Sequence, residues 1–340
     1  MFSSSVRPCF DGHNDLLLRL WLMDDPTAGI DAFFHGLDDG HIDYPRCQLG
    51  GFSGGLFAVF VPPASYFSAH GNISPPQIVA QQIALAHRLA AGSAGRLQLC
   101  RSVADIECCR QSGALAMVLH IEGAEGLDPQ LTCLSRWYQE GVRSLGPFWN
   151  TPNAFGEGVN GAFPGSPDTG SGLTDAGKAL ITACNRQRLM IDLSHMNEKA
   201  FWQTAALSDA PLVASHSNAH ALCAQPRNLT DAQLKAIAAS GGLVGVNFGN
   251  AFLRADGRRD ADTPITRIVE HICYLVDRLG EDGVAFGSDF DGTGVPQALG
   301  DVSGLPRLLA ALSAAGFSEA LIEKLRCNNW LSLLRRTWGE

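Results

Sequence analysis

The chain has 340 residues, 46% of them hydrophobic and 17% charged, with a net charge of −9. That length suffices for one large core, and the acidity, with no cluster of Lys and Arg, excludes a nucleic-acid surface. No apolar run reaches the roughly 18 residues of a membrane span, residues 1–8 lack a secretion-signal pattern, and ten scattered cysteines without a Cys-x-x-Cys point to reduced thiols in the cytoplasm.

From the N-terminus onward, short apolar runs alternate with segments of helical period. Strands are predicted at 7–10, 55–61, 114–121, 142–148, 190–194, 212–215, 243–248 and 284–287. Between them, Val79, Ile83, Ala86 and Ala90 share one helix face, as do Leu173, Ala176, Leu180, Ile181 and Cys184. The longest stripe is Ile265, Ile268, Val269, Ile272, Cys273, Val276 and Leu279. Strands that alternate with helices pair in parallel, and eight such units predict a closed (β/α)8 TIM barrel, an α/β fold forming a single domain over 1–340. Two stretches interrupt the rhythm, 22–54 and the Gly/Pro-rich 149–172. Both are expected as long loops at the C-terminal mouth, where barrel active sites form. An extra C-terminal helix, about 318–337 with Leu321, Leu325, Trp330, Leu333 and Leu334, is expected on the barrel exterior.

Strand ends carry the chemistry. His13 and Asp15 stand two residues apart in Phe10-Asp11-Gly12-His13-Asn14-Asp15-Leu16, on one side of an extended run. Glu122 ends the third strand, His195 the fifth and His216 the sixth, and Asp289 follows the eighth. These ends converge, so ligands distant in sequence share an ion. Three histidines and two carboxylates exceed one tetrahedral site. A bridging Glu122 resolves the excess: His13 and Asp15 complete one site, His195 and His216 the other. Two divalent ions about 3.5–4 Å apart hold a hydroxide between them and polarise a carbonyl. Asp289 would orient that hydroxide, take its proton and pass it to the leaving group. Mixed imidazole and carboxylate ligands suit zinc, and also manganese, cobalt or iron. His35, His41, His70, His87 and His271 stand outside this pattern and are read as surface or loop residues. His120 is read as a buried core histidine, Asp192 as a structural acid, Asp11 as a cap on the turn around His13, and Asp291 as a neighbour behind Asp289.

With these residues in place, the chain resembles the membrane (renal) dipeptidase family, peptidase family M19 of the amidohydrolase superfamily. The resemblance spans nearly the whole chain. It rests on Asp11-Gly12-His13-Asn14-Asp15-Leu16, Ile121-Glu122-Gly123, Gly141-Val142-Arg143, Leu173-Thr174-Asp175-Ala176-Gly177, Asp192-Leu193-Ser194-His195, Ala214-Ser215-His216-Ser217-Asn218-Ala219, Arg227-Asn228-Leu229 and Gly287-Ser288-Asp289-Phe290-Asp291-Gly292. It implies a (β/α)8 barrel with two zinc ions, the same division of the five ligands, and the proton-transfer role of Asp289. It also implies that Arg227 binds the substrate's C-terminal carboxylate, a task suited to a planar fork of donors.

Two positions depart from the family pattern. Trp149 stands where the family usually has a histidine that contacts the substrate carbonyl or its tetrahedral intermediate. An indole donates one hydrogen bond and carries no charge, while an oxyanion donor is worth about 3–4 kcal/mol. Either the metals alone polarise the carbonyl, or Asn150 or Asn153 replaces the donor, or the substrate is not an ordinary dipeptide. The second departure is Glu125, where the family more often has a histidine. The expected function is a dinuclear zinc dipeptidase acting on small dipeptides, L,D-dipeptides included. The alternatives are an N-acyl amino acid deacylase, a tailoring enzyme for a peptide-like metabolite, or a non-catalytic metal-binding barrel, which the intact ligand set argues against. Dimers are common among such enzymes and a homodimer is compatible with this reading, though no segment marks an interface.

Overall fold

Buried apolar runs form nine strands in a computed structural model that describes residues 8–67 and 72–339. They are β1 (Cys9–Asn14), β2 (Phe52–Phe60), β3 (Leu97–Leu99), β4 (Leu115–Glu122), β5 (Val142–Gly146), β6 (Met190–Ile191), β7 (Val213–Ser217), β8 (Leu243–Val246) and β9 (Val284–Phe286). Every ladder is parallel, in the order β1-β2-β4-β5-β6 and β7-β8-β9. Single bridges join the two groups: Asp192 pairs with Val213 and Asn14 with Phe290. Backbone bonds reinforce both joints, Leu193 N–H to Val213 O at 2.7 Å and Asp15 N–H to Phe290 O at 2.9 Å. Eight strands thus close a (β/α)8 barrel, while β3, which the sequence does not predict, pairs only with the start of β4.

Strand lengths differ from the expectation for a physical reason. β1 runs to Asn14, so His13 lies inside it; Arg7 and His70 fall outside the described residues. β6 has only two residues, because the Asp192 carboxylate accepts the Ser194 and Ser215 N–H groups at 3.0 and 2.7 Å. A side chain replaces ladder bonds there. The helix Thr266–Leu279 buries Ile268, Val269 and Ile272 of the predicted stripe and also Leu275, which the stripe did not include, while Cys273, Val276 and Leu279 are half-buried. His271 lies on that same buried face, not on the surface: its Nδ1 accepts Ala219 N–H at 3.2 Å and its Nε2 sits 3.1 Å from Leu253 O. Thr174, inside the Leu-Thr-Asp-Ala-Gly motif, caps the helix Asp175–Gln187 by accepting Gly177 N–H at 3.1 Å. Residues 22–54 are not a plain loop; they hold the helices Pro26–His35 and Tyr44–Gly50, each started by an aspartate cap.

The C-terminal segment corrects a second expectation. It is three pieces, the helix Glu319–Glu323, a π-turn at Lys324–Asn328 and the helix Asn329–Trp338. It does not lie on the exterior flank. Trp330 packs with Phe10, Leu56, Val118, Met190, Val213 and Leu243, residues from the interior near the strand starts, and its indole N–H donates to Phe286 O at 2.8 Å. The helix therefore plugs the barrel floor and leaves the opposite mouth for chemistry. Among the described residues, no helix is long and apolar enough to cross a membrane.

Candidate metal centre and substrate pocket

Each predicted metal ligand, and Asp289, sits at or just past a strand end, while Arg227 lies in the loop after β7. His13 is the fifth residue of β1 and Glu122 the last of β4, while His216 lies within β7. His195, Asp289 and Asp291 follow shortened strands and take left-handed backbone, with φ of 65°, 61° and 68°. That conformation costs a non-glycine residue on the order of 1–2 kcal/mol, and here it turns side chains back over the mouth. Gly292 makes room for them: a Cβ there would lie 2.1 Å from Asp15 Oδ2 and 2.4 Å from Asp289 Oδ1.

The five expected ligands meet. His13 Nε2 is 3.4 Å from Asp15 Oδ2 and 3.6 Å from Glu122 Oε2. The other Glu122 oxygen, Oε1, is 3.0 Å from His195 Nε2 and 3.5 Å from His216 Nε2. One carboxylate thus turns one oxygen to each group. Within His13–Asp15–Glu122, within Glu122–His195–His216 and within His13–His216–Asp289, the candidate ligand atoms lie within 4.8 Å of one another. The His13 and His216 rings stack with centroids 3.7 Å apart.

Hydrogen bonds assign the tautomers of two imidazoles. His195 Nδ1–H donates to Asn150 Oδ1 at 2.8 Å. Ser215 Oγ–H donates to Asp192 Oδ2 at 2.5 Å, so Ser215 Oγ must accept from His216 Nδ1–H at 2.7 Å. Both Nε2 atoms are then bare lone pairs, yet they face each other at 3.1 Å beside a carboxylate oxygen. Three electron-rich atoms converging without a hydrogen between them repel unless a cation sits among them. Burial, with Arg227 and His13 adding to it, holds His195 and His216 well below the usual histidine range, in the neutral form that binds metals. Burial opposes charge on His13 too, but Glu122 and Asp15 outweigh it and push that ring up to about 10. The anionic surround that holds a proton there would hold a cation equally well. Both His13 ring nitrogens are buried without a hydrogen-bond partner, so the donor set fits divalent ions.

The remaining residues line or support the pocket. Asp289 is buried; its Oδ2 accepts Asn247 Nδ2–H at 2.8 Å, and burial pushes its carboxyl up to about 6. A cavity of about 570 Å³ opens over Asp15, Glu122, His195 and Asp289, with Trp149 and Asn150 on its wall. Arg227 is buried just behind that wall, where its Nη1–H and Nη2–H donate to Ser217 Oγ at 2.8 Å and His216 O at 3.1 Å, leaving Nε without a partner. Asn150 has committed its amide oxygen to His195. Asn153 is spent inside the loop: its Nδ2 donates to Pro147 O and Glu125, and its Oδ1 accepts Phe155 N–H. It is no pocket donor. Asp11 does not cap the turn around His13; it ties β1 to the start of the β9 loop by accepting Ser288 N–H and Oγ–H at 2.7 and 2.6 Å. Asp291 Oδ1 accepts His41 N–H at 2.5 Å, and His41 Nδ1 accepts Asp291 N–H at 2.9 Å, so His41 is clasped to the site and not a free loop residue. His120 is buried, with Nδ1 on Ser144 Oγ at 2.8 Å. The pairing of Asn150 with His195 has no local sequence signal. The Ser215–His216 contact had one, since Ser215 directly precedes His216 in its motif and Asp192 opens the motif before it.

A parallel barrel whose strand ends gather acids and neutral imidazoles around one cavity defines a metal-dependent hydrolase. The chain matches the family model described as membrane dipeptidase (peptidase family M19) over residues 4–338, and it belongs to that family. It is a metal-dependent dipeptidase. A metallo peptidase from Rhodobacter sphaeroides, solved with a phosphinate mimic of the dipeptide L-Ala-D-Ala, is 45% identical, with a TM-score of 0.93 over 98% of this chain and 100% of that one. A family M19 metallo peptidase, dipeptidase AC, is 45% identical, with a TM-score of 0.92 over 99% of this chain and 100% of that one. A Klebsiella pneumoniae protein described as an uncharacterized protein in the pqqA 5′ region is 62% identical over 266 residues, 78% of this chain and 98% of that protein.

Proposed function

We propose that the protein hydrolyses the peptide bond of small dipeptides, L,D-dipeptides among them, with two zinc ions, acting as one domain over the whole chain. The observation that carries the two-ion reading is the split Glu122 carboxylate, one oxygen toward His13 and the other toward His195 and His216. His13, Asp15 and Glu122 would hold one ion, and Glu122, His195 and His216 the other. When bound, such ions lower the pKa of a water and polarise a carbonyl. Asn150 and Ser215 keep the two imidazoles turned so that Nε2 faces the centre. Asp289 holds Oδ2 against Asn247, which leaves Oδ1 to take a proton from water and return it to the leaving amine. Arg227 supplies positive charge behind the pocket; two of its five N–H groups are spent on Ser217 and His216, which leaves three, the unpartnered Nε–H among them, for the C-terminal carboxylate. The wall position of Trp149 supports its place against the substrate. Ten free thiols, seven of them buried, fit a reducing compartment, and the cytoplasm is our reading.

A second reading, deacylation of N-acyl amino acids, is favoured by one observation: Trp149 gives the pocket an apolar wall in place of a charged donor. Zinc-loaded protein assayed against L,L- and L,D-dipeptides and against N-acyl amino acids separates the two. Turnover of dipeptides is expected; turnover of acylated amino acids alone would refute the dipeptide reading.

A further inference from the structure

We infer that the ring pair Phe60 and Trp149 forms the subsite for the N-terminal side chain of the substrate and selects large apolar or aromatic side chains. The inference rests on the dipeptidase reading, with the substrate carboxylate held at Arg227. Phe60 is the last residue of β2 and lies in register with Glu122. Gly146, the last residue of β5, is in register with Glu122 from the other side, and Trp149 follows three residues later. The two rings therefore flank the central acid. Their centroids are 5.3 Å apart with planes tilted at 58°, and the Trp149 ring lies 6.3 Å from that of His195.

Both rings are held from behind. The Phe60 peptide meets the buried Gln82 side chain twice, Phe60 N–H to Oε1 at 3.0 Å and Nε2–H to Phe60 O at 2.6 Å. The Trp149 carbonyl packs on Gly158, where a Cβ would lie 1.5 Å from its oxygen. The next residue, Val159, donates its N–H to His195 O at 2.7 Å. Leu18, Leu22 and Tyr66 continue the same wall, and Tyr66 is 61% exposed at the rim. These five side chains are uncharged, so a charged substrate side chain laid on them would lose water without gaining a partner there. Of the two arginines that also line the cavity, Arg19 is already paired with Asp39 and Asp291, and Arg259 is exposed to solvent.

Barrel order gives the direction. Around the circle the strands run β1, β2, β4, β5, β6, β7, β8, β9, so β2 stands opposite β7. Arg227 is bonded to the end of β7. A dipeptide with its carboxylate at Arg227 extends its N-terminal residue across the centre toward β2, onto Phe60 and Trp149. The cavity, about 570 Å³, falls within the range of roughly 300–1,000 Å³ typical of small-molecule sites and has room for a large side chain.

The test compares kcat/KM for Phe-Ala, Gly-Ala, Asp-Ala and Gly-Phe with zinc-loaded wild type, Trp149→Ala and Trp149→Phe, each checked for folding by circular dichroism. The wild type should favour Phe-Ala over Gly-Ala by about ten-fold or more, and Asp-Ala should be poorest. Trp149→Ala should bring the Phe-Ala to Gly-Ala ratio toward one, and Trp149→Phe should keep most of it. A wild-type ratio near one, or an intact ratio in Trp149→Ala, overturns the subsite while the dipeptidase reading stands. A loss of selectivity confined to Gly-Phe against Gly-Ala overturns the assignment to the N-terminal residue. No turnover of any dipeptide refutes the dipeptidase reading, and the subsite with it.

Discussion

Replacing Glu125 by Gln should stabilise the protein at pH 8 and leave it almost unchanged near pH 4.5. Glu125 lies under the loop 149–172, where Oε1 accepts Asn153 Nδ2–H at 3.3 Å and Oε2 is buried without a partner. Burial pushes its carboxyl up from 4.5 to about 7, against smaller opposing effects from hydrogen bonds to its own backbone and to Asn153. The sign follows from proton binding. Below pH 4.5 the group is protonated in the folded and the unfolded chain and costs nothing. Between 4.5 and about 7 the unfolded chain ionises while the folded one does not, so stability falls as pH rises. Above about 7 the loss is complete; a rise from 4.5 to about 7 corresponds to about 3 kcal/mol at 1.36 kcal/mol per pH unit. That is an upper value, because water entering beside the loop would reduce it. The amide of Glu125→Gln keeps the shape of the acid and never ionises. With about 2.1 cal/mol/K of unfolding entropy per residue, 340 residues convert that energy into a melting-temperature gain of about 4 °C. Differential scanning calorimetry of both zinc-loaded proteins at pH 5 and pH 8 measures it. An equal shift at both pH values, or none at pH 8, would refute the buried-acid account.

Asp289→Asn should lower kcat by about 10²- to 10⁴-fold, with both metal ions retained by elemental analysis; unchanged turnover would remove Asp289 from proton transfer. Asn150→Ala frees His195 to rotate and should weaken metal binding by roughly 10- to 100-fold, read by chelator competition; equal affinity would show that the loop packing alone orients the ring. Removing the ions with a chelator should lower the melting temperature, since Asp15, Glu122 and Asp289 then have only His13 and Arg227 to offset them; an unchanged melting curve would contradict a shared cation site. Trp330→Ala empties the barrel floor and should cost about 3–5 kcal/mol in chemical unfolding, without altering metal content, because floor and mouth lie at opposite ends of the strands.

What the sequence made legible is what strand periodicity carries. A β-strand places residues on a face by count alone, and parallel strands bring their C-terminal ends to one rim, so five ligands dispersed from His13 to His216 could be assembled on paper. The contacts that tune those ligands are another matter. Asn150 reaches His195 because the loop after β5 doubles back through Gly158, and Asp11 reaches Ser288 across 277 residues of chain. Neither contact repeats with any period. His271 shows the opposite case: it stands three residues after Ile268 and four before Leu275, so its helix stripe already placed it in the core. Its chemistry invites a surface reading, and its spacing does not. Trp330 shares a helical face with Leu333 and Leu334, but a face alone does not say whether it covers a flank or a floor. That depended on whether the barrel interior left a hole at the strand starts, where Ala116 and Ala285 line the interior. Gly12 and Gly245 complete that space, since a Cβ on them would lie 2.4 and 3.1 Å from Trp330 Cζ2, yet large residues such as Phe10 and Met190 share the same interior, so strand periodicity alone does not announce the inserted ring.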